Sequence, residues 1–492
     1  MLYDLLWLQP QKSFPPSSEQ ARLQRYASNL KIFKGDQWEL EDEYRPYFNR
    51  ISSTVSNLDA AISFPILLNY QKLITTKIAD LVCGDSPVLT GSDSKTNDTI
   101  DEIIDDCSFL TKLYSTVIDI SRYGDAVWRV YKKNGKNTFT LWNPSQWFPI
   151  VSQDGTNTIE KHVLCWTVNR GTDEMPDWSL HAQIHSVGYY EYRVFELDHK
   201  NGQIGNQISS SRSSTGLAYN AVMSLREFDT SDTVYGMDDY LAIDSVLAEL
   251  MVRLAQISSI LDKHADPAMT GPVSMLKQDP ITGRYRLEVG SFFGISPGEV
   301  PPQYLTWEGQ LTAAFKQVEL LLDQLYILTE IGSSMIGADK GGQAISAVAM
   351  RFKMAGPLGK ARRLTNNLTY ATRLLISLLS QIGYIPLKIN EVSIEWADGL
   401  PEDPRENAEI VKLLSGRQSI MPLELAIQEY FGRSNAEALR WIELIQEEDE
   451  LFNPEGEDDD PNKAGPQDGT GVNPREKGSD TGLRGFKNPK NK

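Results

Sequence analysis

His181 and His185 lie four residues apart, the spacing that sets two metal ligands on one face of a helix. Pro176 precedes them and a strand-like run follows, so the sequence does not supply that helix. No Cys or third His stands close by, and His162, His199 and His264 have no evident partners. The cluster Gly337-Ala338-Asp339-Lys340-Gly341-Gly342 would cradle phosphates only with its lysine after the glycines, a Ser or Thr next, and a strand leading in. None of these holds, and a flexible loop between helices is the plainer reading. Acidic pairs such as Asp105-Asp106 and Asp238-Asp239 could serve a two-metal nuclease if the fold gathered carboxylates from several elements. Asp238-Asp239 also fits a first helical turn, where negative charge meets the positive end of the dipole. The run Glu455-Gly456-Glu457-Asp458-Asp459-Asp460 lacks the spacing and flanking helices of a calcium loop. Gly294-Ile295-Ser296-Pro297-Gly298 spells G-x-S-x-G, but Pro297 directly after the serine, in a breaker-rich stretch, does not supply the strand-to-helix turn of a nucleophile elbow. The residue types point away from catalysis, and no enzyme activity, metal or cofactor is expected.

From Met237 to Gly383 the chain reads as a helix, a Gly/Pro-rich insert, a second helix, a Gly-rich loop and a kinked basic helix. A helix is predicted over 238–263, with Ile243, Val246, Leu247, Leu250, Leu254, Ile257 and Leu261 at spacings of three and four forming one buried stripe. At the usual rise it is about 39 Å long. A second is predicted over 311–331, with Leu311, Phe315, Val318, Leu322, Leu325 and Leu328 on one side. Between them, Asp266-Pro267, Gly271-Pro272, Asp279-Pro280, Pro297-Gly298 and Pro301-Pro302 break any helix. A flexible connection over 332–342 leads to a long helix over 344–382, which Pro357 should kink. A helical hairpin with a rigid insert at its tip suits a channel wall better than an active site.

Bulk properties bound the rest. A chain of 492 residues, 40% hydrophobic, predicts several domains with real cores. The start Met1-Leu2-Tyr3-Asp4 lacks a basic region and Pro10 cuts the apolar run, so no secretory signal is expected. No apolar run reaches the ~18 residues a membrane span needs. Cys83, Cys107 and Cys165 lack paired spacing, which argues for three small buried hydrophobes in a reducing compartment. A net charge of −18 keeps the surface solvated and is unlike a protein built to grip DNA, although it suits one that must let DNA slide.

Before the long helices, one helix is predicted over 66–82 and another over 99–122, each stopped by a glycine. Ala126–Tyr131, Asn134-Gly135 and Thr138–Trp142 read as a hairpin, and Asn201-Gly202 marks a second one after Tyr189–Phe195. Residues 203–220, rich in Ser and Gly, read as a mobile loop. After 382 come a strand over 392–396 and helices over 405–450, broken at Gly416 and Gly432. From Asn453 the chain is too polar to fold.

This order resembles the portal proteins of tailed, long-tailed double-stranded DNA bacteriophages. The residues carrying the resemblance spread over 31–450. They include Phe64-Pro65-Ile66-Leu67-Leu68-Asn69 through Leu81-Val82-Cys83-Gly84-Asp85-Ser86-Pro87. Tyr123-Gly124-Asp125-Ala126-Val127-Trp128-Arg129-Val130-Tyr131 and Asn143-Pro144-Ser145-Gln146-Trp147-Phe148-Pro149 complete them. The resemblance implies an α+β, mainly helical portal fold. Its wing would be 1–237, its first stem helix 238–265, its clip 266–308 and its second stem helix 309–331. A tunnel loop over 332–343, a kinked wing helix and strand over 344–400, crown helices over 401–452 and a disordered tail over 453–492 would follow.

It further implies a closed ring of roughly twelve copies built on heterologous contacts. That ring would sit at one capsid vertex of the virion after assembly in the host cytoplasm. Double-stranded DNA would pass through without sequence readout, driven by the large terminase. The major capsid protein, a head-tail adaptor and a scaffold would be further partners, with no membrane. Asp339, Lys340 and Gln343 would face DNA from the tunnel loop. Arg351, Lys353, Arg362 and Arg363 would be channel or interface bases, with Arg362-Arg363 favouring acidic partners across a subunit boundary. Lys277, Arg284, Tyr285 and Arg286 would meet the clip's partners or pack between copies. Two other classes remain open, a non-channel adaptor or scaffold of the virion and a metal-dependent nuclease.

Overall fold

The computed structural model describes residues 1–52, 66–172, 174–198, 200–265, 311–336, 347–397, 404–415, 420–431 and 435–452, with short stretches between 269 and 304. Two units result, Met1–Pro401 and Glu402–Lys492.

The first unit opens with a helical layer. It comprises α1 (Gln20–Lys34), α2 (Gln37–Ser52), α3 (Tyr70–Cys83), α4 (Ser94–Cys107) and α5 (Phe109–Tyr123). Strand β1 (Val88–Gly91) lies between α3 and α4. Asn69 caps α3 by accepting the Lys72 amide, and Asp93 caps α4 by accepting the Thr96 amide at 2.8 Å. The single helix expected over 99–122 is two helices, divided at Ser108 in a left-handed conformation (φ 49°). The break turns the chain so that Ile100, Ile103 and Cys107 on α4 enter the same core as Phe109, Leu113, Val117 and Ile120 on α5. Helices α1 and α2, where the sequence showed only a mixed segment, bury Ile32, Leu40, Tyr44 and Phe48 in that core.

Two antiparallel sheets follow. One has the order β3-β2-β9, from β2 (Asp125–Lys133), β3 (Lys136–Trp142) and β9 (Val222–Arg226). The turn at Asn134-Gly135, both at positive φ, is the predicted hairpin. The other runs in sequence order through β4 (Trp147–Val151), β5 (Ile159–Asn169), β6 (Trp178–Ser186), β7 (Tyr189–Asp198) and β8 (Gln203–Ser214). The second hairpin, β7 to β8, is also present. The loop expected over 203–220 is largely overturned, because 203–214 is a strand pairing with β7 from Asp198↔Gln203 to Tyr189↔Ser214. As an outer strand with most side chains exposed, β8 lacks the apolar alternation that reveals a strand, and only its partner's backbone defines it. Leu2, Trp7 and Leu8 pack on this sheet against Phe148, Ile150 and Val163.

His181 and His185 lie on β6, as the sequence implied, and make no helical pair. His181 contacts Ser179 and Tyr192, and His185 faces His162 across the β5–β6 ladder. The His162 Nδ1 accepts the Trp147 indole N–H at 3.0 Å. Burial pushes His162 down to about 4, so it stays neutral where an unfolded chain would already bind a proton. Because the folded value is depressed, its contribution to stability is present above about pH 6.5 and is lost as pH falls toward 4, in total roughly 3 kcal/mol. His162→Gln keeps an acceptor for Trp147 and removes the titration. The fall in melting temperature from pH 7 to pH 4.5 is expected to be smaller in the variant than in the wild type.

Long helices complete the unit. The first, α6 (Asp244–Ala265), leads through short strands β10 (Met269–Thr270), β11 (Leu276–Gln278), β12 (Tyr285–Leu287) and β13 (Gln303–Tyr304) to α7 (Leu311–Thr329). Strand β10 pairs with β13 and β11 with β12, both antiparallel. Then come α8 (Ala347–Lys353), α9 (Ala355–Ser380) and β14 (Val392–Glu395), which pairs with β1. The kink expected at Pro357 is a break at Met354. Pro357 thus occupies the first turn of α9, where a missing N–H is harmless. Cys107 and Cys165 are buried and Cys83 half-buried, all as free thiols.

The second unit holds α10 (Pro404–Leu414), α11 (Leu423–Phe431) and α12 (Asn435–Phe452). Among its described residues Val411, Ala426, Ile427 and Ala438 are buried hydrophobics, and Phe431 packs on Trp441 at 5.8 Å. Residues Gly416, Gly432 and everything after Phe452 lie outside the described residues.

Candidate functional site at the base of the long helices

Helix α6 starts six residues later than predicted, at Asp244, because Asp238 accepts the amides of Tyr240 and Leu241 in a separate turn. Asp238 and Asp239 are therefore not in the helix. They belong to a charged cluster that ties α6, α7 and α9 to the body. Arg25 of α1 reaches Asp238 and Asp244, each at 2.7 Å. Burial opposes its charge, yet the hydrogen bonds and charges of those two carboxylates hold it above its usual range. Asp239 takes the Ser121 hydroxyl at 2.5 Å and pairs with Lys360 of α9. Lys360, only 6% exposed, also lies 3.8 Å from buried Glu227. Burial disfavours its charge, and Asp239 and Glu227 more than offset that, so its pKa is raised. Arg363, one turn on, joins Glu227 at 3.2 Å and Glu330, just past α7, at 2.8 Å.

The approach to the cluster is tight. Gly124, at φ +82°, lies so close to Gly236 that a Cβ on Gly236 would meet the Gly124 carbonyl oxygen at 2.0 Å. Beside them, buried Asp125 takes the Tyr26 hydroxyl and the Gly236 amide, and burial pushes its carboxyl up to about 6.

Above the cluster α7 packs on α6 through one face. Leu325 is fully buried and Val318, Leu321 and Leu322 are half-buried. The predicted stripes hold in part. On α6 Leu247, Leu250 and Ile257 are buried while Leu261 is exposed, and on α7 Phe315 and Leu328 are exposed. Leu320 (57% exposed) and Ile327 (66%) lie seven residues apart, on the face of α7 turned away from its packed side.

The predicted site residues divide. Arg363 is paired, but with Glu227 and Glu330 of its own chain, where a partner across a boundary was expected. Arg362 lines a cavity of about 290 Å³ with Arg351, Leu81, Val82 and Trp396. Arg351 and Lys353 are exposed in the last turn of α8. Lys277 and Arg286 are opposite in register on β11 and β12, and Tyr285 faces Gln278. Asp339, Lys340, Gln343 and Arg284 lie outside the described residues. Arg25, Glu227, Glu330 and Lys360 were missed. Lys360 left a signal, since it falls in phase with Pro357, Leu364 and Leu368 on the buried stripe of α9, where a charge needs a partner. Among the described residues no three His, Cys, Asp or Glu side chains group as metal ligands, and no helix is long and apolar enough to cross a membrane.

The helical layer, two antiparallel sheets and long helices make this an α+β protein, mainly helical. Residues 16–172 match the family model described as phage portal protein, SPP1 Gp6-like, which bears out the resemblance drawn from the sequence. No curated protein matches the chain. Similar solved structures include the virion of a native gene transfer agent particle, at 11% identity and TM-score 0.39, covering 70% of this chain and 83% of that one. The neck of the native particle, computed with C12 symmetry, has 10% identity and TM-score 0.41 over 76% and 93%. The neck of the empty particle, computed with C6 symmetry, has 13% and 0.41 over 75% and 90%.

Proposed function

We propose that this chain is the subunit of a phage-type portal, a non-enzymatic ring at one vertex of a virion through which double-stranded DNA is packaged and ejected. The match of residues 16–172 to the portal family carries this reading. The apolar residues that α7 turns away from α6 support the ring, because water-exposed Leu320 and Ile327 gain by meeting another copy. In this reading α6 and α7 form the stem, 266–308 the clip that meets the large terminase and later the head-tail adaptor, and 332–343 the tunnel loop. Residues 401–452 form the crown, and the major capsid protein surrounds the ring. Lys340 would touch DNA through the phosphate backbone, without base readout, with Asp339 and Gln343 on the same DNA-facing loop.

Native mass measurement and negative-stain imaging of the purified chain test this. The expected result is a closed ring of roughly twelve copies with an open centre. Monomers or compact dimers would overturn it and favour a non-channel adaptor.

A further inference from the structure

Arg129 lies on β2, the central strand of the three-stranded sheet, in register with Thr140 on one side and Val222 on the other. Its guanidinium carbon sits 5.3 Å from the Trp142 ring and 5.7 Å from Tyr131. Its Nε is buried without a hydrogen-bond partner, and among the described residues no carboxylate pairs with it. A half-buried guanidinium without a counter-charge is costly, and proteins ordinarily match such a group. Burial accordingly depresses its pKa.

A second unmatched group lies at the same place. His185 on β6 is 2% exposed and stacks on Tyr190 at 5.3 Å. One ring nitrogen, Nε2, lies 3.3 Å from Gln183 Oε1, and the other, Nδ1, is buried with no partner. Arg129 and His185 line one cavity of about 310 Å³, together with Lys132, Tyr190, Ser213 and Ser214. The cavity thus combines two cationic side chains, five hydroxyl-bearing side chains and an imidazole, with no acidic residue in its described lining.

We propose that this cavity is a binding site for a phosphate-sized oxyanion. The planar fork of Arg129 matches two oxygens of a tetrahedral anion. With the Gln183 amide turned so that its NH2 donates to His185 Nε2, the neutral imidazole carries its proton on Nδ1 and donates it to the anion, Lys132 adds charge, and the serine hydroxyls can donate to the remaining oxygens. Free phosphate and a nucleic-acid phosphate present the same chemistry to Arg129. The site is independent of the portal reading, since it needs neither a ring nor a channel.

The test compares thermal unfolding of the full chain, as purified, in inorganic phosphate and in chloride of equal ionic strength. At about 20 mM phosphate the wild type is expected to gain roughly 3 °C, and Arg129→Met to gain nothing. Arg129→Lys, which keeps the charge and loses the fork, should gain less than the wild type and guards against a misfolded methionine variant. No phosphate-specific gain in the wild type, or an equal gain in all three proteins, overturns the proposal. A parallel arm replaces phosphate with a short DNA duplex. Stabilisation by both that is lost in Arg129→Met extends the site to the DNA backbone. Stabilisation by phosphate alone identifies a free anion, and stabilisation by duplex alone overturns the small-anion site.

Discussion

Lys360→Met is expected to destabilise the unit Met1–Pro401 by about 3–5 kcal/mol, visible as a clear fall in melting temperature. The substitution conserves most of the side chain's apolar volume, so little packing is lost. What it leaves behind is the Asp239 carboxylate, its side chain 9% exposed, with the Ser121 hydroxyl as its remaining described side-chain partner. Glu227 keeps Arg363, but loses a cation 3.8 Å away. The control is the triple variant Lys360→Met, Asp239→Asn, Glu227→Gln, which removes the orphaned charges with the lysine. It is expected to recover much of the loss, because a buried pair contributes little net stability although breaking it is severe. A single variant that melts like the wild type would show that α9 does not depend on this contact.

The second large effect concerns assembly and should leave folding untouched. Leu320→Asp with Ile327→Asp places two carboxylates on the outer face of α7, where each wild-type side chain is already more than half exposed. In a lone chain the change is near neutral, since surface substitutions away from special features shift stability by about 0.5 kcal/mol or less. Between copies it would bury unpaired like charges around the whole ring, which is strongly unfavourable. The double variant is therefore expected to stay monomeric by native mass measurement while its melting temperature and circular dichroism match those of dissociated wild type. Rings at wild-type abundance would show that this face is not where copies meet.

The fold was legible where information is local. The Asn134-Gly135 hairpin and the Asn201-Gly202 turn follow from turn residues and short spacings and are present, while the helix predicted over 66–82 is found as Tyr70–Cys83 and the strand predicted over 392–396 as Val392–Glu395. The failures have the opposite cause. Ser108 carries no breaker signature, and its left-handed turn is imposed by two apolar stripes that must share one core. Serine-rich β8 is held by β7. Asp238 reads as a helix-starting acid, whereas the structure engages it with Arg25, 213 residues earlier in the chain.

The amino-acid sequence by itself thus determined the order of the long helices, the breaker-rich insert between the first two and the portal resemblance. These rest on periodicity and turn chemistry that act over a few residues. Only the tertiary structure decided which face of α7 is covered, that Lys360 and Arg363 spend their charges inside the chain, and that Arg129 and His185 share a cavity. Burial and charge pairing are properties of neighbours in space, and these neighbours come from distant parts of the chain.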